Sequence, residues 1–207
     1  MTLTQILKDS NSFFEEKINT EIEFKTPILV MLFIGALAAI SAIITTQQIM
    51  SVIPEELAVL GSVGIVFGAI AAVAGTLIGW VIYTAIFYIL SSFLGGQGDF
   101  KRTLEFVAYG FIPTIVSSLL TIYVMSSVIS MADMITQDPA NIKGTLLADP
   151  TIQMITIIGI IINLWSANIW RYGLVHARNM TIKNATIAVM IPIGISILFS
   201  IKSLIGL

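Results

Sequence analysis

Charge is bunched in this chain, and the gaps between the bunches limit what it can fold into. Its 10 basic and 12 acidic residues leave uncharged windows at 26–54, 57–98, 106–132, 150–170 and 184–201, which are 29, 42, 27, 21 and 18 residues long. A helix crosses a hydrocarbon core of about 30 Å with roughly 20 apolar residues, whereas a barrel strand needs only roughly 9–11. The windows are helix-sized. In lipid only helices and closed barrels satisfy every backbone group, so the expected fold is all-α: a polytopic bundle of five transmembrane helices at about 27–50, 65–94, 106–130, 151–171 and 184–203. Charged residues make up 11% of the chain, less than half the roughly 25% of a soluble domain. That excludes a water-soluble fold and a disordered one. The net charge of −2 excludes a strongly basic nucleic-acid binder.

Residues 1–25 read as a cytoplasmic amphipathic segment and 26–207 as the transmembrane domain. Leu3, Ile6, Leu7, Phe13, Phe14 and Ile18 fall near one face at helical spacing, with Thr2 and Gln5 placed for a capping box. Such a helix packs on the bundle or on headgroups, or it binds a partner. No basic stretch opens the chain, so the first apolar span is expected to stay as an anchor rather than be cleaved as a signal peptide.

The longest window is either one helix beginning outside the membrane or a hairpin bent near Gly75. Cytoplasmic segments are enriched in Lys and Arg, and that decides the matter. With five spans and the N-terminus inside, Lys8, Lys17, Lys25, Lys101, Arg102, Arg171, Arg178 and Lys183 lie on the cytoplasmic side, and Lys143 and Lys202 lie outside. A hairpin would divide the same ten residues evenly. The expected topology is therefore five spans in a cell membrane, with a cytoplasmic N-terminus and an external C-terminus.

Small residues at four-residue spacing (Gly64, Gly68, Ala72; Ala71, Gly75, Gly79; Gly35, Ala39) permit close helix approach, between the first two spans or across a homo-oligomer seam. Pro113 and Pro192 fall inside the third and fifth spans, where each frees the carbonyl four residues earlier and kinks its helix. Glu55 and Glu56 follow Pro54 at a helix start. Asp133, Asp138 and Asp149 share an outer loop that matches no calcium-loop spacing.

Intramembrane ionisable groups mark transport pathways and proton relays, and none lies near the centre of an expected span. The chain has no cysteine and one histidine, His176, so neither a thiolate nucleophile nor a multi-histidine metal centre is available. No catalytic residue, cofactor or metal is expected. Asn163, Ser166 and Asn168 are the candidate intramembrane polar pathway, either bonding between helices or lining a path for a small solute. Lys101, Arg102, Arg171, Arg178 and Lys183 are the candidate contacts to lipid headgroups or partners. Lys101 and Arg102 follow Gly95-Gly96-Gln97-Gly98-Asp99-Phe100, a turn whose glycines can end one helix and whose Asp99 can cap the next.

Around this turn the chain resembles the Yip domain (Ypt-interacting protein) family of five-helix membrane proteins. The matching residues are Trp80, Tyr83, Gly95-Gly96, Phe100-Lys101, Tyr109 and Pro113, then Trp165, Gly173-Leu174, His176 and Ala185. The likeness spans roughly residues 25–205. It implies five spans with a cytoplasmic N-terminus and, from eukaryotic members, roles in vesicle traffic, membrane shaping and binding of prenylated Rab GTPases. Eukaryotic members carry a long hydrophilic N-terminal region, whereas about 25 residues precede the first span here. The chain therefore looks like a member from a prokaryotic cell membrane, an archaeal source being one possibility, for which a Rab-type partner is doubtful. The leading expectation is a non-enzymatic protein that organises or shapes membrane or recruits partners, with the bilayer, other membrane proteins or copies of itself as partners. The alternative is a channel or facilitator for a small solute or ion.

Overall fold

The computed structural model describes residues 3–51, 58–127, 130, 133 and 141–204, and the described elements are helices. Two short ones, α1 (Leu3–Lys8) and α2 (Ser10–Lys17), precede the long α3 (Lys25–Met50) and α4 (Ala58–Phe93). Then come α5 (Phe100–Tyr109), α6 (Thr114–Ser127), the short α7 (Ile142–Ala148), α8 (Pro150–Ala177) and α9 (Ile182–Leu204). Among the described residues four helices are long and apolar enough to cross a bilayer, and α5 with α6 makes a fifth crossing if that bent pair counts as one span. The Thr2–Gln5 capping box, Pro54, Glu55, Glu56, Asp138 and Pro139 lie outside the described residues or depend on them.

The third span begins earlier than its apolar window suggests, at Phe100 rather than 106. Its two halves meet at 47°. Proline has no N–H to donate and its ring crowds the preceding turn, and the backbone responds by tightening around Pro113. Gly110, Phe111 and Ile112 donate to Val107, Ala108 and Tyr109, and Thr114, Ile115 and Val116 donate to Phe111, Ile112 and Pro113. This is the three-residue pattern of a 3₁₀ turn. Tyr109, the carbonyl that Pro113 would have left orphaned, accepts from Ile112 N. The last helix, by contrast, continues through Pro192 without a break.

The 36 residues of α4 form one continuous helix, about 54 Å long, with no hairpin at Gly75. Its glycine ridges do not carry its contact with α3, which corrects the expectation drawn from their spacing. A Cβ placed on Gly64, Gly68, Gly75 or Gly79 would meet nothing within 4 Å. The close approach comes from the other helix, where a Cβ on Gly35 would lie 3.3 Å from Val73 Cα. Large apolar side chains also face outward, including Phe67 at 68%, Phe93 at 84% and Phe199 at 70% exposed. In a lipid solvent this is the expected outer surface.

The N-terminal segment is not one helix. Asp9 interrupts it and caps α2, accepting from the Ser12 amide (3.1 Å) and the Ser12 hydroxyl (2.7 Å). Those bonds favour the ionised form, so the Asp9 pKa lies below its ordinary 3.8. The apolar face packs on the bundle: Ile6, Phe13 and Phe14 are buried, while Leu7 and Ile18 are half-buried. Phe14 lies 4.8 Å from Phe106 and Phe13 lies 5.2 Å from Tyr109, ring centre to ring centre.

Candidate functional site at the basic end of the bundle

One end of the bundle gathers α1, α2, the turn between α4 and α5, and the junction of α8 with α9. Two buried arginines hold it together. The first, Arg178, is 2% exposed and directly follows α8. Its Nε donates to Ser91 Oγ (3.0 Å) and its Nη2 to Ser92 Oγ (2.7 Å) and Gly96 O (2.9 Å). Its Nη1 donates to Gly98 O, and its guanidinium lies 3.9 Å from the centre of the Tyr88 ring. The last carbonyls of a helix have no partner inside it and carry partial negative charge. Arg178 therefore stitches the C-terminal end of α4 and its turn to the end of α8. Gln97 N returns a bond to Arg178 O (2.7 Å), and Asn184 Nδ2 from α9 donates to Leu94 O (2.9 Å).

Gly98 allows the fit. Its φ is 150°, and a Cβ there would lie 2.2 Å from Ala177 O. Asp99 occupies the cap position of α5, but its side chain makes no capping bond. Instead Thr103 Oγ1 donates to the Asp99 carbonyl (3.0 Å).

The second arginine, Arg102, works through Glu105, which is fully buried. Arg102 Nη1 donates to Glu105 Oε2 at 2.7 Å, and Lys17 Nζ lies 3.3 Å from Glu105 Oε1. Glu23 balances the extra positive charge, with its carboxylate 3.6 Å from Lys17 Nζ and its amide donating to Glu105 Oε1 (3.3 Å). Arg102 also donates to Lys17 O (3.4 Å) and to Thr20 O, covering the open end of α2. A buried ion survives only when paired and hydrogen-bonded, and this network meets both conditions. It clamps the N-terminal helices to α5.

Two indoles pin α5 from the other side. Trp80 Nε1 donates to Leu104 O (2.9 Å) and Trp170 Nε1 to Val107 O (2.8 Å). Trp170 also packs among Tyr83, Phe87 and Phe111 at 5.0–5.7 Å between ring centres. His176 Nε2 lies 3.0 Å from Asn11 Oδ1 and adds a hydrogen bond between α8 and α2.

The candidate contacts thus separate by environment. Arg102 and Arg178 are buried and spend their guanidinium groups on protein, whereas Lys101 and Lys183 are exposed. Arg171 is intermediate and lines a groove of about 200 Å³ between α8 and α9. Asn168 lines the same groove, but Asn163 and Ser166 do not. Ser166 is buried, and its Oγ has no hydrogen-bond partner among the described residues. Among those residues no group of three His, Cys, Asp or Glu side chains could hold a metal.

Glu105 was not legible as a site residue because it stands one position before an uncharged window and reads as the last residue outside it. The available signal was local: Arg102 and Glu105 are three apart, neighbours on a helix face, and the next 27 residues carry no charge.

Long apolar helices around a buried, internally paired polar end define a polytopic α-helical integral membrane protein. The Yip1 domain model matches residues 4–204, and the chain belongs to that family. It is also similar to an uncharacterised protein of the archaeon Methanocaldococcus jannaschii, 34% identical over 122 residues, covering 59% of this chain and 86% of that protein. No solved structure matches significantly. The archaeal relative agrees with the expectation of an archaeal family member.

Proposed function

We propose that this Yip1-domain protein is a non-enzymatic organiser of the lipid around it, acting through a basic end that faces the cytoplasm. The observation that carries the reading is a division of labour among cations. Lys8, Lys17, Lys25, Lys101, Arg102, Arg171, Arg178 and Lys183 belong to elements that converge on one end of the bundle. Arg102 and Arg178 there are internally bonded, while Lys101 and Lys183 remain exposed. Cytoplasmic surfaces are enriched in Lys and Arg, and each Lys or Arg near an anionic leaflet contributes about 1 kcal/mol of attraction. Recruitment of a partner by the apolar face of the N-terminal helices is less well supported, because Ile6, Phe13 and Phe14 already cover the bundle.

The test is reconstitution into vesicles of zwitterionic lipid and into vesicles rich in anionic lipid. Local enrichment of anionic lipid, or an altered vesicle shape, is expected in the second set. The effect should weaken with salt and with Lys101→Ala plus Lys183→Ala. Identical behaviour in both vesicle types would overturn the reading.

A further inference from the structure

The groove between α8 and α9 holds the one arginine of this end whose bonding is incomplete. Arg171 Nε is buried and has no partner among the described residues. Its Nη2 lies 3.3 Å from Tyr172 Oη, and its guanidinium is 4.8 Å from the centre of that ring. Among the described residues no carboxylate forms an ion pair with it. The rest of the lining is mixed: Asn168 and Thr186 are its other polar residues, and Leu164, Ala167, Val189 and Met190 complete the wall. Leu164 and Met190 of this lining are themselves exposed apolar side chains, so the groove opens on the lipid-facing surface of the bundle.

From this we infer that the groove binds one anionic phospholipid, with its phosphate on Arg171 and an acyl chain along Leu164, Val189 and Met190. A planar guanidinium offers paired donors that match a phosphate, and charge assistance strengthens each bond. Depth agrees with this chemistry. Arg171 lies six residues before the end of α8 and Thr186 four residues into α9, about 9 Å and about 6 Å inside the helix ends. A lipid phosphate with its chains reaches that level from within the bilayer. Thr186 Oγ1 donates to Ile182 O (2.7 Å), so its lone pairs are left to accept from a headgroup hydroxyl, and Asn168 contributes an amide. The inference deepens the lipid-organising reading by naming a single stoichiometric site distinct from the exposed lysines.

Native mass spectrometry of the full chain in detergent tests it, with phosphatidylglycerol, phosphatidylcholine and inorganic phosphate as separate probes. One phosphatidylglycerol adduct per chain should survive salt that strips looser lipid, and Arg171→Gln should reduce its occupancy about tenfold or more, the loss of a charge-assisted contact. Arg171→Lys should restore part of it. Met190→Trp, which fills the groove and leaves every charge in place, should also remove the adduct and guards against an Arg171→Gln variant that fails to fold. Equal retention of phosphatidylcholine, or full occupancy in both variants, overturns the site. Binding of inorganic phosphate as tight as that of the lipid overturns the lipid assignment in favour of a free-anion site. If Lys101→Ala plus Lys183→Ala abolishes vesicle-scale enrichment while the single adduct persists, this site stands apart from the exposed lysines. Absence of a discrete phosphatidylglycerol adduct on the unsubstituted chain, with vesicle-scale enrichment still dependent on Lys101 and Lys183, removes the site and leaves the broader reading intact.

Discussion

The two halves of α4 have similar apolar composition and opposite roles. From Trp80 onward, Trp80, Thr84, Phe87 and Ser91 are buried at spacings of four, three and four residues, forming a stripe that faces the bundle. Before Trp80, Phe67 and Ile70 are 68% and 61% exposed, and a Cβ on Gly64, Gly68, Gly75 or Gly79 would meet nothing within 4 Å. In water an apolar stripe reports which face is inside, because burial is what drives it there. In lipid both faces are apolar, so that signal disappears. Side chains that bond across helices report the inner face instead: the Trp80 indole on Leu104 O and the Ser91 hydroxyl under Arg178.

Predictions follow from this contrast, strongest first. Glu105→Gln strips the carboxylate from beneath Arg102 and Lys17 and should cost about 3–5 kcal/mol, read as a lowered unfolding midpoint in detergent. A variant as stable as the parent would mean that the latch holds nothing. Gly98→Ala combines a left-handed φ with a contact that cannot form, and should cost about 1–3 kcal/mol and loosen the α4–α5 turn to proteolysis. Trp80→Phe keeps the ring packing but loses one hydrogen bond, an effect of about 1 kcal/mol by the same melting assay.

On the other half of the helix, Gly75→Ala should be neutral or stabilising by about 0.5–1 kcal/mol. A clear loss of stability there would erase the distinction between the halves. The smallest effect concerns acid. The folded pKa of Asp9 lies below its unfolded value of about 3.8, so the cap contributes fully above that pH and is lost as pH falls through the folded value. Amide exchange in α2 should rise there, and Asp9→Asn should flatten the response.

How much of this was legible in the sequence follows from the same physics. The uncharged windows located the spanning helices because charge is costly in hydrocarbon, and helical spacing picked out Ile6, Phe13 and Phe14 as one face. Pro113 announced the bend. The split at Asp9 was not read because a single cap inside a short amphipathic run leaves its periodicity intact. The outward direction of Gly64, Gly68, Gly75 and Gly79 could not be read at all, since a small residue permits close approach without requiring it. Glu105, Lys17 and Arg102 are remote in sequence or sit at a window edge, and only folding brings their charges together.

The central claim is that the chain crosses the bilayer an odd number of times, with its basic, latched end on one side. The chain has no cysteine, so single cysteines at Asn19, Lys101, Lys183 and Lys202 can be tested one at a time with a membrane-impermeant thiol reagent on intact cells. Labelling from outside is expected at Lys202→Cys alone, with Asn19→Cys, Lys101→Cys and Lys183→Cys reacting only after permeabilisation. If Lys202→Cys is protected together with the other three, or Lys101→Cys and Lys183→Cys fall on opposite sides, the account is contradicted.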